Sequence, residues 1–327
     1  MSVFTALNHD QISQYLSHYA LGELVEFSGI AAGVENSNYF LTLQQQNGAF
    51  GHYVLTLFER LSVDELPFFI ALTTHLHARQ CPVPCAVKNK TGKQLGLLAG
   101  KPAVIVPKIS GQHCESPSVA QCALIGTELA RIHLAAEKFQ HQPTNPRSWI
   151  WLQQSAHTLQ NVLGDEQRRL LNAALARLKS FYAQKPTLPH GIIHGDLFRD
   201  NVLFAKQGIA ALLDFYNACQ DDWLYDVAIT ANDWCIGTNG IVEQAKLHSL
   251  LSQYQIMRPF NEQEKSAWPD LLLMAACRFW LSRLLDWHHN HHLATNTLQP
   301  VTVKDPVEFQ RIVEAHLHQP AGWALTH

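Results

Sequence analysis

Hydrophobic and polar positions follow two different periods along this chain. Near the start, Ile12, Tyr15, Leu16 and Tyr19 recur at helical spacing after Asn8-His9-Asp10, which predicts a short amphipathic helix. The period then shortens to that of strands. Leu24–Ser28, Tyr39–Leu43 and His52–Phe58 predict three strands, with a Gly/Asn/Ser turn region over 29–38 and a hairpin turn at Asn47-Gly48. Ser62, followed three residues on by Glu65, has the form of a capping box, so a helix is expected there. Phe68, Phe69, Leu72, His75 and Leu76 would make its apolar face, and Pro82 and Pro84 would end it. Two more strands are predicted near Ala86-Val87 and at Ala103–Val106.

After Pro107-Lys108-Ile109-Ser110-Gly111, which has the look of a hinge, the period turns helical. Residues 118–137 carry Val119, Ala123, Leu124, Leu129, Ile132 and His133 at roughly helical spacing. Further helices are expected over 149–162 and 166–183, then a strand-like island over 191–214, then helices to near His292. Strands segregated from helices in this way predict an α+β architecture of two lobes: 1–108, a sheet with one long helix, and 109–327, mainly helical. A chain of 327 residues with 47% hydrophobic and 16% charged residues is ordinary for a globular protein. Its formal charge of −3 leaves no basic footprint for nucleic acid. No apolar run is long enough to span a bilayer, and the first residues lack the form of a signal peptide. Seven cysteines at irregular spacing are read as reduced thiols of a cytoplasmic protein.

The densest chemistry lies in the island, His194-Gly195-Asp196-Leu197-Phe198-Arg199-Asp200-Asn201, with Asp214 thirteen residues after Asn201 and followed by Phe215. An Asp-to-Asn step of five, then Asp-Phe after an apolar strand, parallels the catalytic loop and metal-binding Asp of protein kinases. Phosphoryl transfer needs these residue types because its demands are positioning and charge neutralisation. Asp196 would orient the attacking hydroxyl and accept its proton. Asn201 and Asp214 offer one amide oxygen and one carboxylate, the few hard ligands that Mg²⁺ takes from protein when phosphates and water supply the rest. Arg199, inside the same motif, is the second catalytic candidate.

The segment Gly33-Val34-Glu35-Asn36-Ser37-Asn38-Tyr39 reads either as a plain hairpin turn or as a loop whose backbone N–H groups cradle phosphate. Placed before the island, Gly33, Asn36, Ser37 and Asn38 become candidates for ATP, together with Pro107 and Ile109 at the hinge. No G-x-x-x-x-G-K-[ST] occurs, which disfavours a P-loop kinase. Glu65 is either the partner of a phosphate-orienting lysine or simply part of the capping box. His288, His289, His291 and His292 read as a solvated helix end, since no second cluster completes a metal site.

These residues, in this order, resemble the aminoglycoside-phosphotransferase-like and choline-kinase-like small-molecule kinases, over most of the chain. Within that family, residues 33–40, 53–59, 65–69, 194–204 and Asn232-Asp233-Trp234-Cys235 are most similar to its homoserine-kinase branch. The resemblance implies a protein-kinase-like fold and ATP- and Mg²⁺-dependent phosphorylation of L-homoserine to O-phospho-L-homoserine, a step toward threonine. One departure is plain: where such folds carry a lysine on the third strand, this chain has Thr56. Arg60, another basic residue, or Mg²⁺ and backbone amides would then carry that charge.

Homoserine is a zwitterion, so an Arg fork suits its carboxylate and an acidic group its ammonium. Candidates are Arg199, Asp200, Tyr216, Asp233, Trp234, Arg278 and Arg283, each of which could equally form a structural ion pair or pack in the core. Asp226, near a helix start, is read as structural. Kinases of choline, aminoglycosides or methylthioribose-like sugars, and a nucleotide-binding module without activity, are the rival readings.

Overall fold

The structure, a computed structural model, describes residues 4–30, 36–140, 143–184, 186–294, 304–318 and 322–323. Gly33 lies outside them, and the side chains of His291 and His292 are likewise not described. The chain divides into two compact units, Met1–Gly111 with Ala210–Leu213, and Gln112–Ile209 with Asp214–His327.

The first unit opens with α1 (His9–Leu16). Asn8 accepts from the Gln11 N–H while the Gln11 side chain accepts from the Asn8 N–H, a reciprocal cap that satisfies two otherwise unpaired donors. Its apolar face packs on a five-stranded antiparallel sheet of β1 (Glu23–Gly29), β2 (Asn36–Gln44), β3 (Phe50–Phe58), β4 (Gly96–Leu98) and β5 (Lys101–Pro107), in the order β1-β2-β3-β5-β4. Alternate residues of a strand face one side, so Tyr39, Leu41 and Leu43 of β2 and Leu55 and Leu57 of β3 reach the same core as Ile12, Tyr15 and Leu16. The strand expected at Ala86-Val87 does not form. Pro82 and Pro84 lie just before it, and Val87 N–H makes a single bond to the Ile105 carbonyl at 2.8 Å. The outer strand beside β5 is instead the three-residue β4. Next, α2 (Leu66–Ala78) buries Leu66, Phe68, Leu72 and Leu76, leaving Phe69 and His75 half-buried. Its expected capping box is half made. The Glu65 carboxylate accepts from Ser62 N–H at 3.0 Å and Ser62 Oγ at 2.8 Å, but the Glu65 N–H binds the Ser62 carbonyl rather than its hydroxyl.

The second unit contains α3 (Val119–Ala136), α4 (Trp149–Leu159), α5 (Asp165–Ala183), β6 (His190–Ile193), β7 (Val202–Ala205), β8 (Gly208–Leu212), β9 (Cys219–Asp222), α6 (Trp223–Trp234), α7 (Gln244–Met257), α8 (Glu262–Ala294) and α9 (Pro306–His318), the end of β8 grouping with the first unit. Helix α3 turns the expected face inward over its second half and a shifted one over its first. Cys122, Ile125, Leu129, Ile132, His133 and Ala136 are buried, while Val119 and Leu124 are 45% and 41% exposed. Gly126 sets that face, because a Cβ there would stand 2.1 Å from the Leu250 carbonyl of α7. Strands β6 and β9 pair antiparallel, and β7 and β8 form a hairpin. Helix α9 lies beyond the point where helices were expected to stop. Pro306 opens it and the Asp305 carboxylate accepts from Val307 N–H at 2.8 Å. No described helix is long and apolar enough to cross a membrane.

Candidate active site

The island folds as a strand, a tight loop and a hairpin. β6 delivers the chain to Gly195, whose φ of +74° belongs to the left-handed region, and a Cβ there would lie 2.8 Å from the Asn217 carbonyl. Asp226, fully buried in the first turn of α6, holds this corner from below. Its two oxygens accept from His194 N–H at 2.7 Å and Gly195 N–H at 2.8 Å, and His133 Nε2 stands 2.9 Å from Oδ2. Burial alone would push the Asp226 carboxyl up, but these donors outweigh it and hold it below the usual range. Burial also keeps His133 neutral, so its Nε2–H donates to Asp226 and its Nδ1 accepts from Tyr254 Oη at 2.7 Å. Two further supports complete the loop: Trp234 Nε1 donates to the Leu197 carbonyl at 3.0 Å, and Asn201 Nδ2 donates to the Asp196 carbonyl at 2.8 Å.

Asp196 is half-buried at the end of this corner. Burial pushes its carboxyl up to about 7, with Asp214 raising it further and Arg278 opposing. A carboxylate near neutrality suits a proton acceptor. Asn217 Nδ2 donates to Asp196 Oδ2 at 3.3 Å, and Asn217 Oδ1 accepts from Arg147 Nη1, so Asn217 links Arg147 to Asp196. Because Asn201 spends its Nδ2 on the loop, its Oδ1 is the atom turned to other work. Asp214 is exposed, with the left-handed φ of +60° that non-glycine residues adopt at a cost. An amide oxygen and a carboxylate are the hard donors that Mg²⁺ accepts, and no group of three or more His, Cys, Asp or Glu suited to a metal occurs among the described residues. The donor set therefore fits a metal that takes most of its ligands from phosphate and water.

The model of a phosphotransferase enzyme family matches residues 26–260. The chain belongs to that family. Among its relatives, the homoserine kinase of Paraburkholderia phymatum (strain DSM 17167 / CIP 108236 / LMG 21445 / STM815) is 42% identical over 99% of this chain and 100% of its own. The homoserine kinase of Methylobacillus flagellatus (strain ATCC 51484 / DSM 6875 / VKM B-1610 / KT) is 41% identical over 96% and 95%. The fold is that of the small-molecule phosphotransferases. Amicoumacin kinase hAmiN, solved with AMP-PNP, Ca²⁺ and Ami, superposes with a TM-score of 0.71 at 14% identity over 96% of this chain and 95% of its own. Aminoglycoside phosphotransferase APH(4)-Ia gives 0.65 at 15% over 96% and 100%.

Several side chains expected to meet substrate in this phosphotransferase are committed elsewhere. Trp234 is fully buried beneath Leu197 and is part of the loop's support. Asp233 accepts from Arg199 N–H at 2.7 Å, Nε at 3.1 Å and Nη2 at 3.2 Å, while Arg199 Nη1 donates to the Glu115 carbonyl at 2.6 Å. Asp233 and Arg199 thus brace one another across the loop, and neither offers an open charge. Arg283 donates to Glu308 at 2.6 Å and to the Asp305 carbonyl at 2.8 Å, tying α8 to α9. Asp200 pairs with Lys304 at 2.6 Å. Tyr216 is half-buried beside Asp214, and Arg278 lies close enough to Asp196 to act on its charge.

In the first unit, Asn36, Ser37 and Asn38 lie in β2, not in a loop, paired in register with Phe58, Leu57 and Thr56. Ser37 is fully buried; its hydroxyl donates to Glu59 at 2.6 Å and accepts from the N–H groups of Phe4 and Thr5, which removes it from any phosphate cradle. Asn36 and Asn38 are half-buried. Pro107 closes β5 and is exposed, and Ile109 follows it half-buried. Thr56 is buried and donates to Asn38 Oδ1 at 2.7 Å. Lys101 pairs with Glu59 at the same sheet, and Arg60 is exposed. Arg147, Asn217 and Tyr225 carried no spacing signal. They sit in a loop, a 3-10 turn and the first turn of a helix, outside any motif.

Proposed function

We infer that this phosphotransferase transfers the γ-phosphoryl group of ATP to the side-chain hydroxyl of L-homoserine, giving ADP, O-phospho-L-homoserine and a proton. The observation that carries this reading is the identity of about two residues in five with homoserine kinases over nearly the whole chain. The catalytic corner agrees with it. Asp196 orients the hydroxyl and takes its proton as the new O–P bond forms, and the bond from γ-phosphorus to the bridging oxygen breaks with its electron pair leaving on ADP. Asp226 and Asn217 keep Asp196 in place, and Arg199, braced by Asp233, keeps the loop that bears it. Asn201 and Asp214 are the residues we assign to Mg²⁺, which when bound neutralises phosphate charge. Gly33, Asn36 and Asn38, with Pro107 and Ile109, are assigned to the nucleotide, so that residues 1–108 mainly serve ATP and 109–327 mainly the alcohol. We place the reaction in the cytoplasm, where ATP is at hand and the seven cysteines, all free thiols, stay reduced.

ADP release with ATP, Mg²⁺ and a panel of L-homoserine, L-serine, L-threonine, choline, kanamycin and methylthioribose tests this reading. Turnover selective for L-homoserine is expected. Turnover of choline or kanamycin with none of L-homoserine would overturn it.

A further inference from the structure

Beside the catalytic corner lies a cavity of about 10 Å³ whose lining includes Arg147, Gly195, Asn217, Tyr225 and Arg278. Two of these side chains are buried without a hydrogen bond among the described residues, and the charge of Arg278 is met only at longer range by Asp196. Arg278 is 5% exposed, its guanidinium carbon 3.6 Å from the Phe279 ring centroid, and it makes no hydrogen bond or ion pair among the described residues. Tyr225 is 4% exposed and its hydroxyl has no hydrogen-bond partner among them. A buried guanidinium without a paired anion, and a buried hydroxyl without an acceptor, each cost free energy that an anion would offset. Arg147 adds a second guanidinium to the same cavity. Burial and this like-charged neighbour both disfavour Arg278's protonated form, and burial keeps the Tyr225 phenol protonated, hence a donor.

We propose that Arg278, Arg147 and Tyr225 form the receptor for the α-carboxylate of the substrate. The inference rests on the homoserine reading and specifies how that amino acid is chosen. Two guanidiniums and a phenol line one cavity, which as it stands is about the size of a water molecule and would widen to take a carboxylate. Two guanidiniums repel a polycationic sugar or a quaternary ammonium group. The cavity also adjoins the base: Gly195 precedes Asp196, and Asn217 binds both Arg147 and Asp196. A carboxylate docked there would leave the hydroxyl at the other end of a short chain within the neighbourhood of Asp196. Arg147, through Asn217, would report occupancy of the carboxylate site to the base.

The test compares L-homoserine with 3-aminopropan-1-ol, the same chain without the carboxylate. It adds L-2-aminobutyrate, which keeps the carboxylate and lacks the hydroxyl, as a non-reacting ligand. Wild type should prefer L-homoserine in kcat/KM, and Arg278→Met should reduce that preference about 10²-fold or more, the loss typical of removing one partner of a buried charge pair. Arg147→Met and Tyr225→Phe should reduce it about tenfold and threefold, since an outlying charge and a neutral donor each give less. Arg278→Lys should recover part of the loss. L-2-aminobutyrate should raise the Tm of wild type and not of Arg278→Met, and without ligand Arg278→Met should melt higher than wild type, because an unpaired buried charge has gone. A preference unchanged within about threefold in Arg278→Met, or a variant that loses both alcohols equally and melts lower, would overturn the proposal. If wild type phosphorylates neither alcohol but L-2-aminobutyrate still shifts only the wild-type Tm, the carboxylate site stands and the homoserine reading falls. If neither turnover nor any shift is seen, both fall.

Discussion

The two sides of the catalytic loop are built to opposite rules. Beneath it, each polar group that supports the loop has a partner: Asp226 takes two backbone N–H groups and His133, His133 takes Tyr254, Trp234 takes Leu197, and Asp233 takes Arg199. Beside it, Arg278 and Tyr225 are buried residues, and neither the guanidinium nor the hydroxyl has a hydrogen-bond partner among the described residues. Burial without partners is costly, and although Trp268, Trp280 and Ser282 also bury a polar atom without one among the described residues, only here do two such groups line a cavity beside Asp196. The difference separates scaffold from site more cleanly than residue type does, because arginine, aspartate and tryptophan occur in both the expected pocket and the actual support.

The sharpest way to break this distinction is at the base. Asp196→Asn should lower kcat about 10³-fold, within the range of general-base contributions, and leave ATP affinity measured by calorimetry nearly unchanged. Near-normal turnover would remove Asp196 from the chemistry. Next in size is the scaffold itself. Asp226→Ala leaves His133 and two amide N–H groups without their acceptor, and urea unfolding should show a loss of about 3–5 kcal/mol. A variant as stable as wild type would show that the underside of the loop is not held as described. Arg199→Ala should cost about 1.5–3 kcal/mol and act on kcat rather than on the KM for L-homoserine, because it orphans Asp233 within the loop's bracing. A rise in KM alone would make Arg199 a substrate ligand after all.

Asp196 also links function to pH. With its carboxyl pushed up to about 7, kcat/KM should fall as pH drops through 7, about tenfold per unit on the acid limb. The sign for stability is opposite to that of an ion-paired acid. A folded-state value above the unfolded one means the ionised form disfavours folding, a cost absent below the unfolded value and fully present above 7. Asp196→Asn should therefore gain on the order of 1–2 kcal/mol at pH 8 and progressively less toward pH 4, the partial exposure of Asp196 reducing the full linkage value. Equal gains at both pH values would contradict the shift. Smallest of all, Trp234→Phe keeps the ring and loses one bond to Leu197, and chemical denaturation should register about 1 kcal/mol. A selective rise in KM for the alcohol would instead return Trp234 to the pocket.

Much of the proposed catalytic corner could be placed from sequence because Asp196, Asn201 and Asp214 sit within a single strand–loop–hairpin segment, where spacing reports on position directly. The fold class was legible for a similar reason, strands preceding helices. Of the proposed carboxylate pocket, only Arg278 was among the candidates. Arg147, Tyr225 and Arg278 come from a loop and two helices far apart in sequence, and only tertiary packing brings them to one cavity. Local patterns also misled where packing overrode them. Val119 and Leu124 fitted a helical stripe, yet Gly126 lets α7 approach a different face. Ala86-Val87 had strand composition, but two prolines upstream left it one bond to β5. Asn36, Ser37 and Asn38 had turn composition, yet the ladder with β3 drew them into the sheet. Helix α9 carries its own sequence signal, the Asp305-Pro306 start.

The most direct test of the account is to identify the product. Wild-type protein incubated with ATP, Mg²⁺ and L-homoserine, and followed by ³¹P NMR, should yield ADP and O-phospho-L-homoserine in equal amounts, with Asp196→Asn yielding almost neither in the same time. ADP formed without a phosphoester of homoserine, or equal product from the Asp196→Asn variant, would contradict it.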